Sequence, residues 1–143
     1  EQGYAEAQYN LGTAYHAGKG VLQNSQTALE WYRKAARQGN AHAQYSLGFA
    51  YYSGNGVSRN LRQAVLWFRE AALQGLPEAL MALGTAYTYG QGVPQNPIAA
   101  YALFSQAAAR GLDTQNALNT LSGAMTPEQI SQAKALGIED ILK

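Results

Sequence analysis

Shifted by 36 residues, this chain lies on itself. The copies read AEAQYNLGTAYHAGKGVLQNSQTALEWYRKAARQGN (5–40), AHAQYSLGFAYYSGNGVSRNLRQAVLWFREAALQGL (41–76) and PEALMALGTAYTYGQGVPQNPIAAYALFSQAAARGL (77–112), with thirteen positions identical in all three. A period of this length is the signature of a stacked-repeat architecture. It constrains the fold more than any other feature, because a unit this short cannot close a core by itself. The opening EQGY matches the RQGN that ends a unit at 37–40, so residues 1–4 read as the end of a preceding repeat. With no initiator Met and no signal sequence, the chain is expected to be a fragment or a processed form.

Each unit reads as two helices. The first spans about Ala5–Ala17 and sets Ala7, Leu11, Ala14 and Tyr15 on one stripe. Gly18 stops it, since glycine takes the left-handed conformation that closes a helix end. A short loop follows, GKGV, GNGV or GQGV in the three copies. Asn24, Asn60 and Asn96 then stand where the second helix starts, a favoured N-cap residue in each case, and Pro97 after Asn96 suits the first helical position. The second helix is expected to bury Ala28, Trp31, Tyr32, Ala35 and Ala36, with Trp67 in the core of the next copy. Gly39, Gly75 and Gly111 mark the joints.

Two amphipathic helices leave an apolar face that only the next hairpin covers. The expected fold is therefore all-α: a right-handed α-solenoid of stacked antiparallel helix hairpins, forming one domain over 1–143. Gly12, Gly48 and Gly84 fall in mid-helix, where glycine costs roughly 1 kcal/mol against alanine. Close approach of the paired helix would offset that cost. Residues 113–143 abandon the period but keep a stripe of Ala117, Leu118, Leu121, Ala124 and Met125. TPEQ at 126–129 is a helix start with capping-box spacing, and the helix after it alternates apolar Ile130, Ala133 and Leu136 with polar residues. This segment reads as a pair of C-terminal capping helices.

The pattern A-x-A-Q-Y-x-L-G-x-x-Y, then G-x-G-V, N and A-x-x-W-[YF]-x-x-A-A-x-x-G, resembles the Sel-one-like repeat (SLR) family, a branch of the tetratricopeptide-type solenoids. The resemblance implies stacked helix pairs with a concave binding face formed mainly by the first helices. It also implies adaptor work in protein complexes, often in bacterial envelopes, secretion or signalling. Some cysteine-rich relatives resemble penicillin-binding or β-lactam-hydrolysing proteins. This chain has no cysteine, so that activity is not carried over.

Differences between the copies sort the aromatics. Tyr51 has Tyr15 and Tyr87 as equivalents and is expected to be structural, whereas Phe49 stands opposite Thr13 and Thr85, and Tyr52 opposite His16 and Thr88. Helical spacing sets 45, 49 and 52 on one face, away from Ala43, Leu47, Ala50 and Tyr51. The expected partner-binding groove on the concave side is Tyr9, Asn10, Thr13 and His16, then Tyr45, Ser46, Phe49 and Tyr52, then Met81, Thr85, Thr88 and Tyr89. Tyr9 and Tyr45 also suit gap-filling between successive first helices. Clustered exposed aromatics mark contact surfaces.

Composition narrows the partner. Hydrophobic residues make up 47% and charged ones 13%, and ten Lys/Arg against nine Asp/Glu leave a formal charge of +1. That is too little for long-range capture of nucleic acid or a membrane surface. The cations concentrate in the middle of the chain, which a solvated outer helix face explains. No apolar run is long enough to cross a bilayer.

Chemistry is equally thin. His16 and His42 are a repeat apart, the acids are scattered, and the absence of cysteine removes thiolate metal sites and disulfides. GKGV lacks the ending and the preceding strand of a phosphate loop. The expected function is a non-catalytic scaffold, without cofactor or metal, whose groove holds an extended segment or helix of another protein. The alternative is a module for cell-wall glycan or muropeptide, with Tyr45, Phe49 and Tyr52 stacking on sugars. End-to-end self-association follows if α-helical edges at the start of the chain are uncovered. The expected compartment is the bacterial periplasm over the cytoplasm.

Overall fold

The computed structural model describes residues 2–18 and 24–142. Glu1 of the opening EQGY and residues 19–21 of the first glycine loop lie outside the described residues. The helices are α1 (Gln2–Ala17), α2 (Ser25–Arg37), α3 (Ala41–Ser53), α4 (Leu61–Leu73), α5 (Pro77–Tyr89), α6 (Pro97–Ala109), α7 (Gln115–Gly123), α8 (Pro127–Ala135) and α9 (Ile138–Ile141). They form two compact units, residues 1–71 and 72–143.

Every hairpin is tied by the same residue. Asn24, Asn60 and Asn96 each accept, through the side-chain oxygen, the backbone N–H three residues on, at 3.0, 3.1 and 3.1 Å. Their own backbone N–H groups donate to the carbonyls of Tyr15, Tyr51 and Tyr87 at 2.9 Å in all three cases. One asparagine thus caps the second helix and fastens it to the last turn of the first. The loops turn on glycines at positive φ, Gly54 (75°) with Gly56 (81°) and Gly90 (68°) with Gly92 (80°), a region closed to most side chains.

In residues 1–71, α1 pairs with α2 and α2 packs on α3. The mid-helix glycines do what their cost suggests. A Cβ on Gly12 would stand 2.7 Å from the Tyr32 ring, and one on Gly48 would stand 2.7 Å from the Phe68 ring. Leu47 is sealed among Leu29, Ala35, Ala36 and Ala43, with Tyr51 and Trp67 against the edge of that cluster. The Tyr51 hydroxyl accepts from Arg33 Nη2 at 3.4 Å. Gln44, buried by the same packing, donates from Nε2 to the Ala36 carbonyl at 3.2 Å, a second bond to an acceptor that already takes the Gly39 N–H at the end of α2. Gln8 is likewise buried and accepts from Gln38 Nε2.

Three expectations need correction in this unit. Helix α1 begins at Gln2 rather than Ala5, since no residue between them blocks a helix. Trp31 and Trp67 are half-buried, not core. Neighbouring helical residues point about 100° apart, and Tyr32 and Phe68 take the inward direction over the glycines. Trp31 instead carries the Lys34 ammonium 4.5 Å above its ring. Ala7 and Leu11 are exposed although they share the stripe of buried Ala43 and Leu47, because no described helix precedes α1 to cover it as α2 covers α3.

In residues 72–143, Gly84 meets the Phe104 ring, 2.9 Å from where its Cβ would lie, and Leu80, Leu83 and Leu103 are fully buried. Helix α6 is covered by α7, α8 and α9. The Thr114 hydroxyl, buried at the turn into α7, donates to the Phe104 carbonyl at 2.9 Å. Thr126 and Gln129 form the capping box, with bonds of 3.1 and 2.9 Å. Leu121 and Met125 are buried as the stripe requires, but Ala124 is exposed because α7 ends at Gly123 and the phase is lost. Among the described residues no helix is long and apolar enough to cross a membrane.

Candidate functional site

Helix α3 turns Ala43, Gln44, Leu47 and Gly48 into the packing. What remains on its shoulder is the aromatic row. Tyr45 lies against the Phe68 ring (centroids 5.6 Å apart), Phe49 against Tyr45 (6.4 Å), and Tyr52 against Phe49 (6.4 Å). The middle of the row is its most open point: Tyr45 and Tyr52 are half-buried, while Phe49 keeps 52% of its surface exposed. Helix α1 carries the matching position with Tyr9, whose ring lies 5.6 Å from Tyr32 and 5.8 Å from His42.

Beside Phe49 is a cleft of about 160 Å³. Tyr45 and Phe49 wall it, Tyr32 is at its base, and His16, Ser25, Ser46, Ser53 and Asn55 supply polar edges. Tyr32 is only 8% exposed. Its hydroxyl donates to Thr13 Oγ1 at 3.4 Å, and Thr13 donates its own proton to the Tyr9 carbonyl at 3.1 Å. Burial raises the Tyr32 pKa above the ordinary tyrosine value, so the phenol stays neutral through the physiological range. Ser53 Oγ also donates to its own helix, to the Phe49 carbonyl at 2.9 Å. With its proton engaged in this way, the Ser53 oxygen faces outward as an acceptor, suited to an N–H group of an incoming chain.

Residues 72–143 hold a second groove, of about 400 Å³, between α5 and α7 over Phe104. Met81, Thr85, Thr88 and Tyr89 form one side and Asn116, Ala117, Thr120 and Leu121 the other. The threonines again donate to backbone: Thr85 to Met81 (3.0 Å), Thr88 to Gly84 (2.7 Å) and Thr120 to Asn116 (2.9 Å). They turn methyl groups and acceptor oxygens to the groove, which is more apolar than the first.

The twelve residues singled out from sequence therefore divide. His16, Tyr45, Ser46 and Phe49 line the first cleft, and Met81, Thr85, Thr88 and Tyr89 line the second groove. Tyr9, Thr13 and Tyr52 lie next to the first through their contacts with Tyr32 and Phe49. Asn10 is exposed and lines neither. Sequence reasoning passed over Tyr32, Ser25, Ser53 and Asn55, and the whole α7 side of the second groove. Tyr32 was detectable, being the copy that carries a hydroxyl where Phe68 and Phe104 have none.

Among the described residues no group of three His, Asp or Glu could hold a metal ion. The chain matches the Sel1 repeat family at residues 5–40, 41–76 and 77–112. It is similar to a Sel1 repeat protein from Oxalobacter formigenes, with 40% identity over 75% of this chain and 44% of that one, TM-score 0.73. It is also similar to a protective antigen of uropathogenic Escherichia coli displaying an SLR fold, with 31% identity over 94% of this chain and 37% of that one, TM-score 0.74. This chain thus spans less than half the length of either. Helicobacter pylori cysteine-rich protein B shares the fold, at 22% identity over 85% of this chain and 90% of that one, TM-score 0.66. No curated relative matches.

Proposed function

This chain belongs to the Sel1 repeat family, and on that footing we propose that it holds a partner polypeptide against the first helices of its hairpins. The cleft beside Phe49 is the principal contact in residues 1–71. Sel1 repeats mediate protein–protein interaction, and the family is typically non-enzymatic. The all-helical hairpin fold is that of SLR proteins. The observation that carries the finer reading is Phe49. A large apolar ring stays 52% exposed, backed by Tyr45 and Tyr52, beside a cleft edged by Ser25, Ser46, Ser53 and Asn55. Rigid aromatic anchors next to acceptors suit an extended chain, which inserts side chains and offers backbone N–H groups. Nothing in the comparisons favours the glycan alternative.

The test is affinity capture from the native host followed by mass spectrometry. The reading expects one protein at stoichiometric recovery, lost with Phe49→Ala while the melting curve is unchanged. Saturable binding of purified peptidoglycan fragments, abolished by the same substitution and with no protein recovered, contradicts it.

A further inference from the structure

The charge around the α3 row is one-sided. Helix α3, AHAQYSLGFAYYS, contains no carboxylate, and none lines the cleft. At the C-terminal end of the row, the Arg59 guanidinium carbon lies 5.9 Å from the centroid of the Tyr52 ring. Arg59 Nε donates to the Tyr52 carbonyl at 3.0 Å, which fixes the side chain over the ring. Among the described residues Arg59 has no carboxylate partner. The wider setting agrees: residues 1–71 contain seven Lys/Arg against four Glu, and residues 72–143 three against five Asp/Glu.

We infer that the occupant of the first cleft is an extended acidic segment of a partner protein, with one apolar or aromatic side chain beside Phe49 and an Asp or Glu on Arg59. This rests on the interaction reading above and names the chemistry of its partner. The spacing follows from the row itself. Tyr52 is 6.4 Å from Phe49 and Arg59 is 5.9 Å from Tyr52, two steps that bound the reach from Phe49 to Arg59, and an extended chain rises about 3.3 Å per residue. The acid therefore falls within roughly four residues of the anchor. A pre-positioned guanidinium over an aromatic face takes a carboxylate in the two-pronged geometry that arginine favours. Single-stranded nucleic acid also combines stacking with cations, but it presents a phosphate at every nucleotide. The row offers a fixed arginine at one end and the exposed His42, on the same helix stripe, at the other.

The experiment is selection of a random dodecapeptide library, displayed on phage, against the full chain. Enriched peptides should pair an apolar or aromatic residue with Asp or Glu no more than about four positions away. With Arg59→Glu the preference should turn to Lys or Arg, and affinity for a synthetic acidic winner should fall about tenfold, with circular dichroism unchanged. Should Arg59→Glu fold poorly, Arg59→Gln should lose the acidic preference without gaining a basic one. Neutral or basic winners on the native chain, or an acidic preference untouched by both substitutions, overturn this inference and leave the peptide-binding reading intact. Enrichment of no peptide overturns both. Tighter binding of a dodecauridylate than of any selected peptide overturns it in favour of nucleic acid.

Discussion

Phe68 lies flat on the backbone of Gly48, with ring carbons 2.7 and 2.8 Å from where a Cβ would be and the Ala64 carbonyl at 3.1 Å. Alanine at 48 would gain up to about 1 kcal/mol of helix propensity. Phe68 is 3% exposed and cannot retreat. Overpacking of this kind costs about 1–3 kcal/mol, so Gly48→Ala is expected to lower stability despite the better helix former. Urea unfolding monitored by circular dichroism gives the sign.

Phe49 and Phe68 are the same residue type with opposite burial, 52% and 3% exposed. Phe68→Ala should cost about 3–5 kcal/mol, as buried aromatic truncations do. Phe49→Ala should cost less than about 1 kcal/mol, because half of the ring is already in water. Trp31→Ala belongs between them, since its ring is half-buried. Equal losses for the two phenylalanines in thermal melts would show that Phe49 is a packing residue.

Tyr32 makes stability depend on alkaline pH. Its folded-state pKa is raised by burial. The folded state therefore keeps the proton after unfolded chains begin to lose it near pH 10. The contribution is fully present below that pH and disappears as pH rises toward the folded value. Tyr32→Phe, which copies the residue found at 68 and 104, should flatten the decline in stability above about pH 10. Urea midpoints of both proteins at neutral pH and above pH 10 give the comparison; parallel declines contradict it.

Asn60 caps α4 and ties its start to Tyr51. Asn60→Ala removes the side-chain acceptor while keeping the backbone tie, so a loss of about 1 kcal/mol is expected. Asn60→Asp, which keeps an acceptor oxygen, should restore most of it in the same unfolding assay.

The hairpins, their caps and the glycine contacts were legible because each is a local rule stated three times over. Asn24, Asn60 and Asn96 needed only their place before a helical run, and Gly12, Gly48 and Gly84 announced a close approach by their cost. Direction was less legible. Trp31 and Tyr32 are both aromatic and adjacent, and the letters do not say which one meets Gly12; the coordinates choose Tyr32. Gln44 looks like a surface residue, yet it is buried and donates to a carbonyl on another helix, a contact that no local pattern contains. Leu11 and Leu47 are the same letter in the same phase, 43% and 0% exposed, because burial depends on what the next helix brings. The α7 wall of the second groove was hidden for a related reason: Asn116, Ala117 and Thr120 lie where the period has already broken.

On the proposed function, the variable aromatic face of α3 touches another protein while the repeated residues hold the hairpins. Site-specific photocrosslinking tests it most directly, with a benzoyl-phenylalanine placed at position 49 of the full chain in its native host and, as a control, at the exposed position of Glu70 on α4. A discrete protein adduct from position 49 that is absent from position 70 is the expected result. No adduct from position 49, or the same adducts from both positions, would show that the α3 aromatic face is not a protein contact.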